Sequence, residues 1–468
     1  MEFDETNNEN EEILDKVFRF EEMLVKKQSY FFDVDDFVNI VDFYIDNDEI
    51  AKAAEVIHYA LRQHPSSVDI KIKKAQVLIN QKKLKEAFSI IQEIEQYDAE
   101  NYEIVVLKGS IYNLEGDSAK AEKEFTKAMK YVPEDEKDIV FYNIAMAFLN
   151  SFEFKIALKY LFKAQEFKSD NQNILFDIAY CYEKIGELNN SVKYYEQFID
   201  ENPFSANAWY NLGTVYSILN EFEKAIDAYE YAVAINVDYS SAYFNMGNAY
   251  ASMEQYHKAI ESYNEYLKLN ENDPLALYYL GEAYEYLKET DKAMEYYHKV
   301  IEIDEFFADA YVGIGEILFQ DGDNEKAIEN IKIAIDTDEL NSEYWFLLAR
   351  MYEKIGQNED AHKAYEKAIK NDEFDEDLWV NYAEFLHDVN ENTKAIKILK
   401  RAHEKFNENA DVFYLLAAFL SETTIDKTVL KYLEKALKLD AKKYTEYSFY
   451  FEEYSENAEI NELLKKYR

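Results

Sequence analysis

The sequence predicts an all-α fold in which pairs of helices are stacked in a linear array. Three observations lead to this prediction: a pattern that recurs every 34 residues, apolar residues at helical spacing within each repeat, and a shortage of turn residues. The chain of 468 residues contains only 10 Gly and 4 Pro. Long helices joined by short turns fit this composition, whereas a β-rich fold would need more of both residues.

The repeat aligns without gaps over most of the chain. Its rows begin at Val34, Val68, Tyr102, Asp138, Gln172, Ala206, Ser240, Pro274, Ala308, Ser342, Glu376 and Ala410, and two inserted residues, Glu136 and Lys137, precede the fourth row. Position 20 of the repeat is Ala in ten of the twelve rows, with Ser191 and Val429 as the exceptions. A position that stays so small predicts a close approach between two helices.

Glycine gives an independent test of the alignment, because it is favoured where a side chain would clash or where φ must be positive. Five glycines fall at position 8 and four at position 15, and only Gly313 falls elsewhere. Apolar residues at positions 4, 7, 8 and 11, and again at 20, 24 and 27, predict two amphipathic helices joined near position 15. One such hairpin cannot bury both faces, so neighbouring hairpins must stack.

This pattern resembles the tetratricopeptide repeat. The best row carries the signature residues Trp209, Leu212, Gly213, Tyr216, Ala225, Tyr229 and Ala232. The resemblance covers residues 34 to 443 and implies a right-handed α-solenoid, a superhelix of helix-turn-helix hairpins. It also implies a concave groove that is lined by the first helix of each repeat and binds protein.

The two ends depart from the repeat, as the outer faces of terminal repeats must. We expect residues 1–12 to be a disordered acidic segment and 13–33 to hold an amphipathic capping helix. Twelve repeats follow over 34–443, and 444–468 is expected to be a partial repeat or capping helix. The apolar residues assigned to the buried face of the first cap are Ile13, Leu14, Val17, Phe18, Leu24 and Val25.

The charge balance bears on partners and location. Lys and Arg number 51 and Asp and Glu 94, a net charge of −43, which repels phosphate and argues against nucleic acid and anionic membranes as partners. The acidic start lacks the basic and apolar regions of a signal peptide, no stretch is long enough to span a membrane, and Cys181 is the only cysteine. We therefore expect a cytoplasmic monomer, and a composition rich in Lys, Asn, Ile, Phe and Tyr indicates a bacterial source.

Candidate binding residues lie beside the buried face of the first helices, at positions 2, 5, 6, 9 and 12. Position 5 carries an aromatic stripe that includes Tyr142, Phe176, Tyr210, Phe244, Tyr278 and Phe346. Such rings either anchor an apolar peptide in the groove or only pack against adjacent repeats. Position 6 repeats Asn at Asn143, Asn211 and Asn245, with Asn248 nearby.

Amides can bond to an extended peptide backbone, and this run of Asn resembles the repeat region of O-linked N-acetylglucosamine transferases, although codon bias toward Asn is a competing cause. From Pro274 onward the stripe becomes acidic, as at Glu282, while Arg350 is the one basic residue at position 9. That half is predicted to prefer a basic or neutral partner; the alternative is ordinary solvated surface charge.

No catalytic constellation is found. The seven His are dispersed, Cys181 occupies a small-residue position, and no Gly-rich phosphate loop occurs, so we predict no enzyme, cofactor or metal site. The predicted function is a non-catalytic scaffold that binds a peptide segment or protein in its groove. Two alternatives remain: a regulatory or assembly subunit that acts through homo-oligomerisation or its convex face, and an enzyme or small-ligand binder in the acidic half.

Overall fold

A computed structural model of the chain describes residues 2–167, 172–423, 425–454 and 457–467. Within these ranges the protein consists of 27 α-helices and two short 3-10 helices, without a β-strand. None of the described helices is both long and apolar enough to cross a bilayer. The chain forms two compact units, Met1–Val237 and Asp238–Arg468.

Unit 1 consists of a capping helix followed by six helix hairpins. Its helices are α1 (Glu2–Lys26), α2 (Val34–Asp46), α3 (Ile50–Gln63), α4 (Val68–Asn80), α5 (Leu84–Glu95), α6 (Tyr102–Leu114), α7 (Ser118–Ala128), α8 (Lys137–Asn150), α9 (Phe154–Phe167), α10 (Gln172–Lys184), α11 (Leu188–Glu201), α12 (Ala206–Ile218) and α13 (Phe222–Ile235). A 3-10 turn, Glu134–Glu136, lies at the predicted insertion, and α8 starts directly after it. The insertion is therefore accommodated between two hairpins.

Unit 2 contains six hairpins and a C-terminal cap. Its helices are α14 (Ser240–Ser252), α15 (Tyr256–Leu269), α16 (Pro274–Tyr286), α17 (Thr290–Ile303), α18 (Ala308–Gln320), α19 (Asn324–Thr337), α20 (Ser342–Lys354), α21 (Asn358–Asn371), α22 (Glu376–Asp388), α23 (Asn392–Lys405), α24 (Ala410–Ser421), α25 (Lys427–Leu439), α26 (Tyr444–Tyr447) and α27 (Ala458–Tyr467), with the second 3-10 helix at Ser448–Tyr454. Each second helix packs on the first helix of its own repeat, and within a unit most second helices also pack on the first helix of the next repeat. This arrangement confirms the predicted all-α solenoid of stacked hairpins.

Side-chain caps explain why the first helices begin where the repeat rows begin. The residue before the helix is often Asp, Ser or Asn, and its side-chain oxygen accepts a hydrogen bond from a backbone N–H in the first turn. At Asp273 the carboxylate accepts from the amides of Leu275 and Ala276, 2.9 and 3.0 Å away, and Pro274 occupies the first helical position, where no amide partner is needed. Equivalent caps are Asp33, Ser67, Asn101, Ser205, Asn341, Asp375 and Asn409.

Two recurring features hold each hairpin together. Repeat position 15 has a positive φ wherever the structure describes that residue, from 58° at Glu254 to 88° at Gly322, so the chain reverses there in the left-handed region. Position 20 is fully buried, and each of its ten alanines has no exposed surface. The small side chain lets the second helix approach its neighbours closely, as the repeat predicts.

The buried face of the N-terminal cap differs in part from the prediction. Helix α1 spans Glu2–Lys26. The buried face consists of Val17, Phe20 and Met23, whereas Phe18 and Val25 are exposed. Positions 17, 20 and 24 share one side of a helix, and 18 and 25 lie on another, so the apolar count alone misassigned the face.

Candidate functional site

The candidate site is the side of the first helices that carries repeat positions 2, 5, 6, 9 and 12, called here the first-helix surface. Its predicted members in unit 1 are Tyr142, Asn143, Phe176, Tyr210 and Asn211, and in unit 2 they are Phe244, Asn245, Asn248, Tyr278, Glu282, Phe346 and Arg350. Position 2 is open to solvent at Ser241 and Leu275, while the position-5 rings are half-buried. The surface therefore combines exposed edges with a partly covered aromatic centre.

A layer of buried tyrosines lies beneath the aromatic stripe. Five second helices carry tyrosine at repeat position 24, and each ring contacts the position-5 ring of its own repeat at centroid distances of 5.5 to 6.0 Å. The pairs are Phe176 with Tyr195, Tyr210 with Tyr229, Phe244 with Tyr263, Tyr278 with Tyr297, and Phe346 with Tyr365. The position-5 rings thus have a packing role, and their remaining surface is available to a ligand.

Glycine at position 8 makes room for this layer. A Cβ on Gly247 would lie 2.4 Å from Cε1 of Tyr263, and one on Gly281 would lie 2.5 Å from Cε1 of Tyr297. The ring therefore crosses the first helix at a point where only glycine fits. The coincidence of Gly at position 8 with Tyr at position 24 was visible in the sequence, but the contact between them was not predicted.

The phenol groups of the buried tyrosines reach the first-helix surface and bond to its polar residues. Tyr263 donates to Oδ1 of Asn248 at 2.7 Å, and Tyr297 donates to Glu285 at 2.7 Å. Burial raises the pKa of Tyr263 and of Tyr297, so both hydroxyls stay protonated. Hydrogen bonds from buried tyrosine hydroxyls consequently hold Asn248 and Glu285 in place on the surface.

The predicted asparagines differ in their surroundings. Asn211 donates to the hydroxyl of Tyr195 at 3.2 Å, Asn248 accepts from Tyr263, and Asn143 is exposed. One hydrogen bond leaves an amide with further donor and acceptor capacity. Tyrosine hydroxyls thus position Asn211 and Asn248 on this surface, and each amide has further hydrogen-bonding groups.

In unit 1, a carboxylate joins the aromatic stripe. The hydroxyl of Tyr142 donates to Oδ2 of Asp177 at 2.8 Å, and burial raises the pKa of both groups. Cys181 lies one turn further along the same helix with no exposed surface, and burial, assisted by Asp177, raises the pKa of its thiol to about 12. A thiol so buried and protonated is a packed core residue rather than a nucleophile.

In unit 2 the surface becomes acidic. Burial is the main cause of a raised pKa at Glu282, Glu316 and Glu384, all at position 9. Arg350, the basic residue of this stripe, donates to Oδ1 of Asn381 at 3.1 Å. Its charge offsets part of the rise in the pKa of Glu384. Among the described residues, no group of three His, Cys, Asp or Glu side chains is arranged to hold a metal ion.

Family models described as tetratricopeptide repeat match 41–101, 102–135, 174–205, 206–239, 240–273, 274–307, 308–339 and 342–385. No curated protein matches the chain. Among solved structures, MamA protein is 29% identical over 37% of this chain and 95% of its own, with a TM-score of 0.35.

Two further solved structures resemble the chain. A tetratricopeptide repeat protein from Parabacteroides merdae is 17% identical over 54% of this chain and 99% of its own, with a TM-score of 0.44. YrrB, described as having an unusual peptide-binding site, is 23% identical over 42% of this chain and 97% of its own, with a TM-score of 0.33.

Proposed function

The chain belongs to the tetratricopeptide repeat family, and from this premise we propose that it is a non-catalytic scaffold that binds a peptide segment or a protein partner on its first-helix surface. Repeats of this family serve protein–protein interaction. A cytoplasmic and bacterial setting is part of the proposal, supported by the single, buried cysteine and the biased composition.

The observation that carries the proposal is the construction of the first-helix surface. In each unit, half-buried aromatic rings stand beside amides and carboxylates, several of which are held by buried tyrosine hydroxyls. Rings offer large contact area, and preorganised polar groups bond to a peptide backbone at little cost in conformational entropy. A surface of this kind suits an extended polypeptide better than a small metabolite.

A second candidate is association through the turns between repeats. Repeat position 33 exposes a large apolar residue in three successive turns of unit 2: Phe306 is 69% exposed, Leu340 78% and Phe374 73%. Apolar residues repeated at one edge of a solenoid favour a partner or a second copy that docks along that edge. This candidate corresponds to an assembly subunit.

Affinity capture with matched variants tests the proposed function. Ser241→Arg with Leu275→Arg places two long cations on exposed positions of α14 and α16, and is expected to abolish partner capture from native lysate. His298→Arg with Ile333→Arg makes the same change on exposed positions of the second helices α17 and α19 and should retain the partner. Loss of the same proteins from both variants, with helicity intact, would contradict binding on the first-helix surface.

A further inference from the structure

The first-helix surface of unit 2 contains a cleft of about 350 Å³ between α16 and α18. The ring of Tyr297, which comes from α17, lines its floor, and Tyr278 and Val312 line its sides. Tyr278 and Tyr297 lie in contact, with ring centroids 5.8 Å apart. The cleft therefore offers an aromatic and apolar interior rather than a purely polar depression.

Two glycines from consecutive repeats allow this floor to form. A Cβ on Gly281 would lie 2.5 Å from Cε1 of Tyr297, and a Cβ on Gly313 would lie 2.5 Å from Cε2 on the other edge of the same ring. Gly313 is the one glycine that departs from repeat positions 8 and 15. Its position is explained by the ring, which passes between α16 and α18 at a point where neither helix can carry a side chain.

Three carboxylates line the same cleft. Glu282 accepts a hydrogen bond from Tyr278 at 3.1 Å, Glu285 accepts one from Tyr297 at 2.7 Å, and Glu316 faces them from α18. A carboxylate has about four acceptor sites, so one phenol leaves most of them unused. Within the described part of the chain none of the three forms an ion pair; Lys288, the basic residue at the cleft, is exposed and lies beyond ion-pair distance.

Burial and neighbouring carboxylates disfavour the ionised forms of Glu282 and Glu316. Burial raises the pKa of Glu282, and Glu285 and Asp309 raise it further; burial raises the pKa of Glu316, and Glu285 and Glu343 add to that shift. Ionised carboxylates that are partly desolvated and repel one another gain most from an added positive charge. In the preceding repeat of unit 2, the positions of Glu282 and Glu285 hold the neutral residues Asn248 and Ala251, so the acidic part of the surface begins at this cleft.

We propose that this cleft takes the lysine or arginine side chain of the protein segment that binds the first-helix surface, an inference that rests on the proposed function. The aliphatic stem would pack on Tyr278 and Val312, and the cationic head would lie among Glu282, Glu285 and Glu316. Cations are attracted both to carboxylates and to the faces of aromatic rings, and their stems bury well on apolar surface. The cleft thus sets the sequence preference of the bound segment.

A short fluorescein-labelled peptide of alternating alanine and lysine tests the proposal by fluorescence anisotropy with the full chain. Its counterpart with norleucine keeps the stem and removes the charge, and should bind about tenfold more weakly. Binding of the lysine peptide should weaken as the pH falls from neutral through the raised pKa values of Glu282 and Glu316, because protonation removes their charge. Lack of saturable binding, or equal affinity for both peptides, would overturn the proposal.

Matched variants separate the cleft from the general acidity of the protein. Glu282→Gln with Glu316→Gln should weaken the lysine peptide about tenfold. Glu302→Gln with Glu305→Gln removes the same charge from exposed positions outside the cleft and should leave the affinity nearly unchanged. If both double variants lose the same affinity for the lysine peptide, the binding reflects the net charge of the protein, and the proposal is wrong.

Failure of the cleft and failure of the proposed function give different results. If the double glutamine variant still captures the native partner, while Ser241→Arg with Leu275→Arg loses it, the first-helix surface binds the partner without a cation in this cleft. Calcium chloride added to the complex with the lysine peptide provides one more comparison. Displacement of the peptide by millimolar calcium would assign the cleft to a metal ion and contradict the proposal. Circular dichroism confirms that each variant is folded.

Discussion

At the scale of single residues, the repeat imposes conformations that its side chains do not always favour. Position 15 needs a positive φ, and glycine supplies it in four hairpins, yet Lys82 has φ of 60° and Phe152 has φ of 61°. A non-glycine residue in the left-handed region carries a steric cost because its Cβ approaches the following carbonyl oxygen. The stacking of whole hairpins evidently outweighs this local cost.

Lys82 gives a direct test of that cost. Lys82→Gly should stabilise unit 1 by about 1 kcal/mol, because glycine adopts φ of 60° without strain and the lysine side chain is exposed. Gly116→Ala, in the next turn where φ is 82°, is the matched opposite change and should destabilise by a similar amount. Urea unfolding followed by circular dichroism measures both, and a lower midpoint for Lys82→Gly would refute the argument.

At the scale of elements, the helix boundaries were largely readable from the sequence. The period of 34, the apolar spacing and the recurrent small position locate the two helices of each repeat and the close contact within each hairpin, because these are local features that repeat. The buried face of α1 was predicted only in part, with Val17 correct and Phe18 and Val25 wrong, since a lone cap has no second copy against which to test its periodicity. The place of Gly313 was not explained for a different reason: its contact is with Tyr297 of the preceding repeat, and a pattern read row by row does not show contacts between rows.

The close helix contact at position 20 predicts a local response to overpacking. Ala259→Leu should destabilise the protein by roughly 1–3 kcal/mol, because Ala259 has no exposed surface and the packed hairpin has no room for a larger side chain. Hydrogen exchange should accelerate in α14 to α17 and remain unchanged in distant repeats, since each repeat contacts only its neighbours.

Ala234→Leu serves as the control for that variant. Ala234 is exposed near the end of a second helix, so a leucine there adds apolar bulk without entering a packed contact. Its unfolding midpoint should match that of the unchanged protein. If Ala259→Leu also keeps full stability, position 20 is not the close contact that the fold requires.

At the scale of the whole molecule, composition and architecture point to the same kind of role. The repeat accounts for nearly every glycine, and the net charge of −43 is spread over a chain in which carboxylates far outnumber cations. Like charge on a repeat protein favours solubility and attracts basic partners, while stacked hairpins offer a large surface for recognition. The partner itself is specified by side chains on that surface, so a sequence pattern of period 34 identifies the scaffold but not what it carries.

The measurement that tests the central claim most directly is site-specific photo-cross-linking in the native cell. A photoreactive phenylalanine analogue replaces, one at a time, Leu275 on the first-helix surface, Ile333 on an exposed second-helix face and Leu340 at a turn between repeats; these three apolar residues are 41%, 37% and 78% exposed. Binding on the first-helix surface should give a discrete cross-linked partner from position 275 and none from 333. A partner cross-linked from 333 or 340 but not from 275 would contradict binding on the first-helix surface. A partner cross-linked from 340 alone would favour association through the turns between repeats.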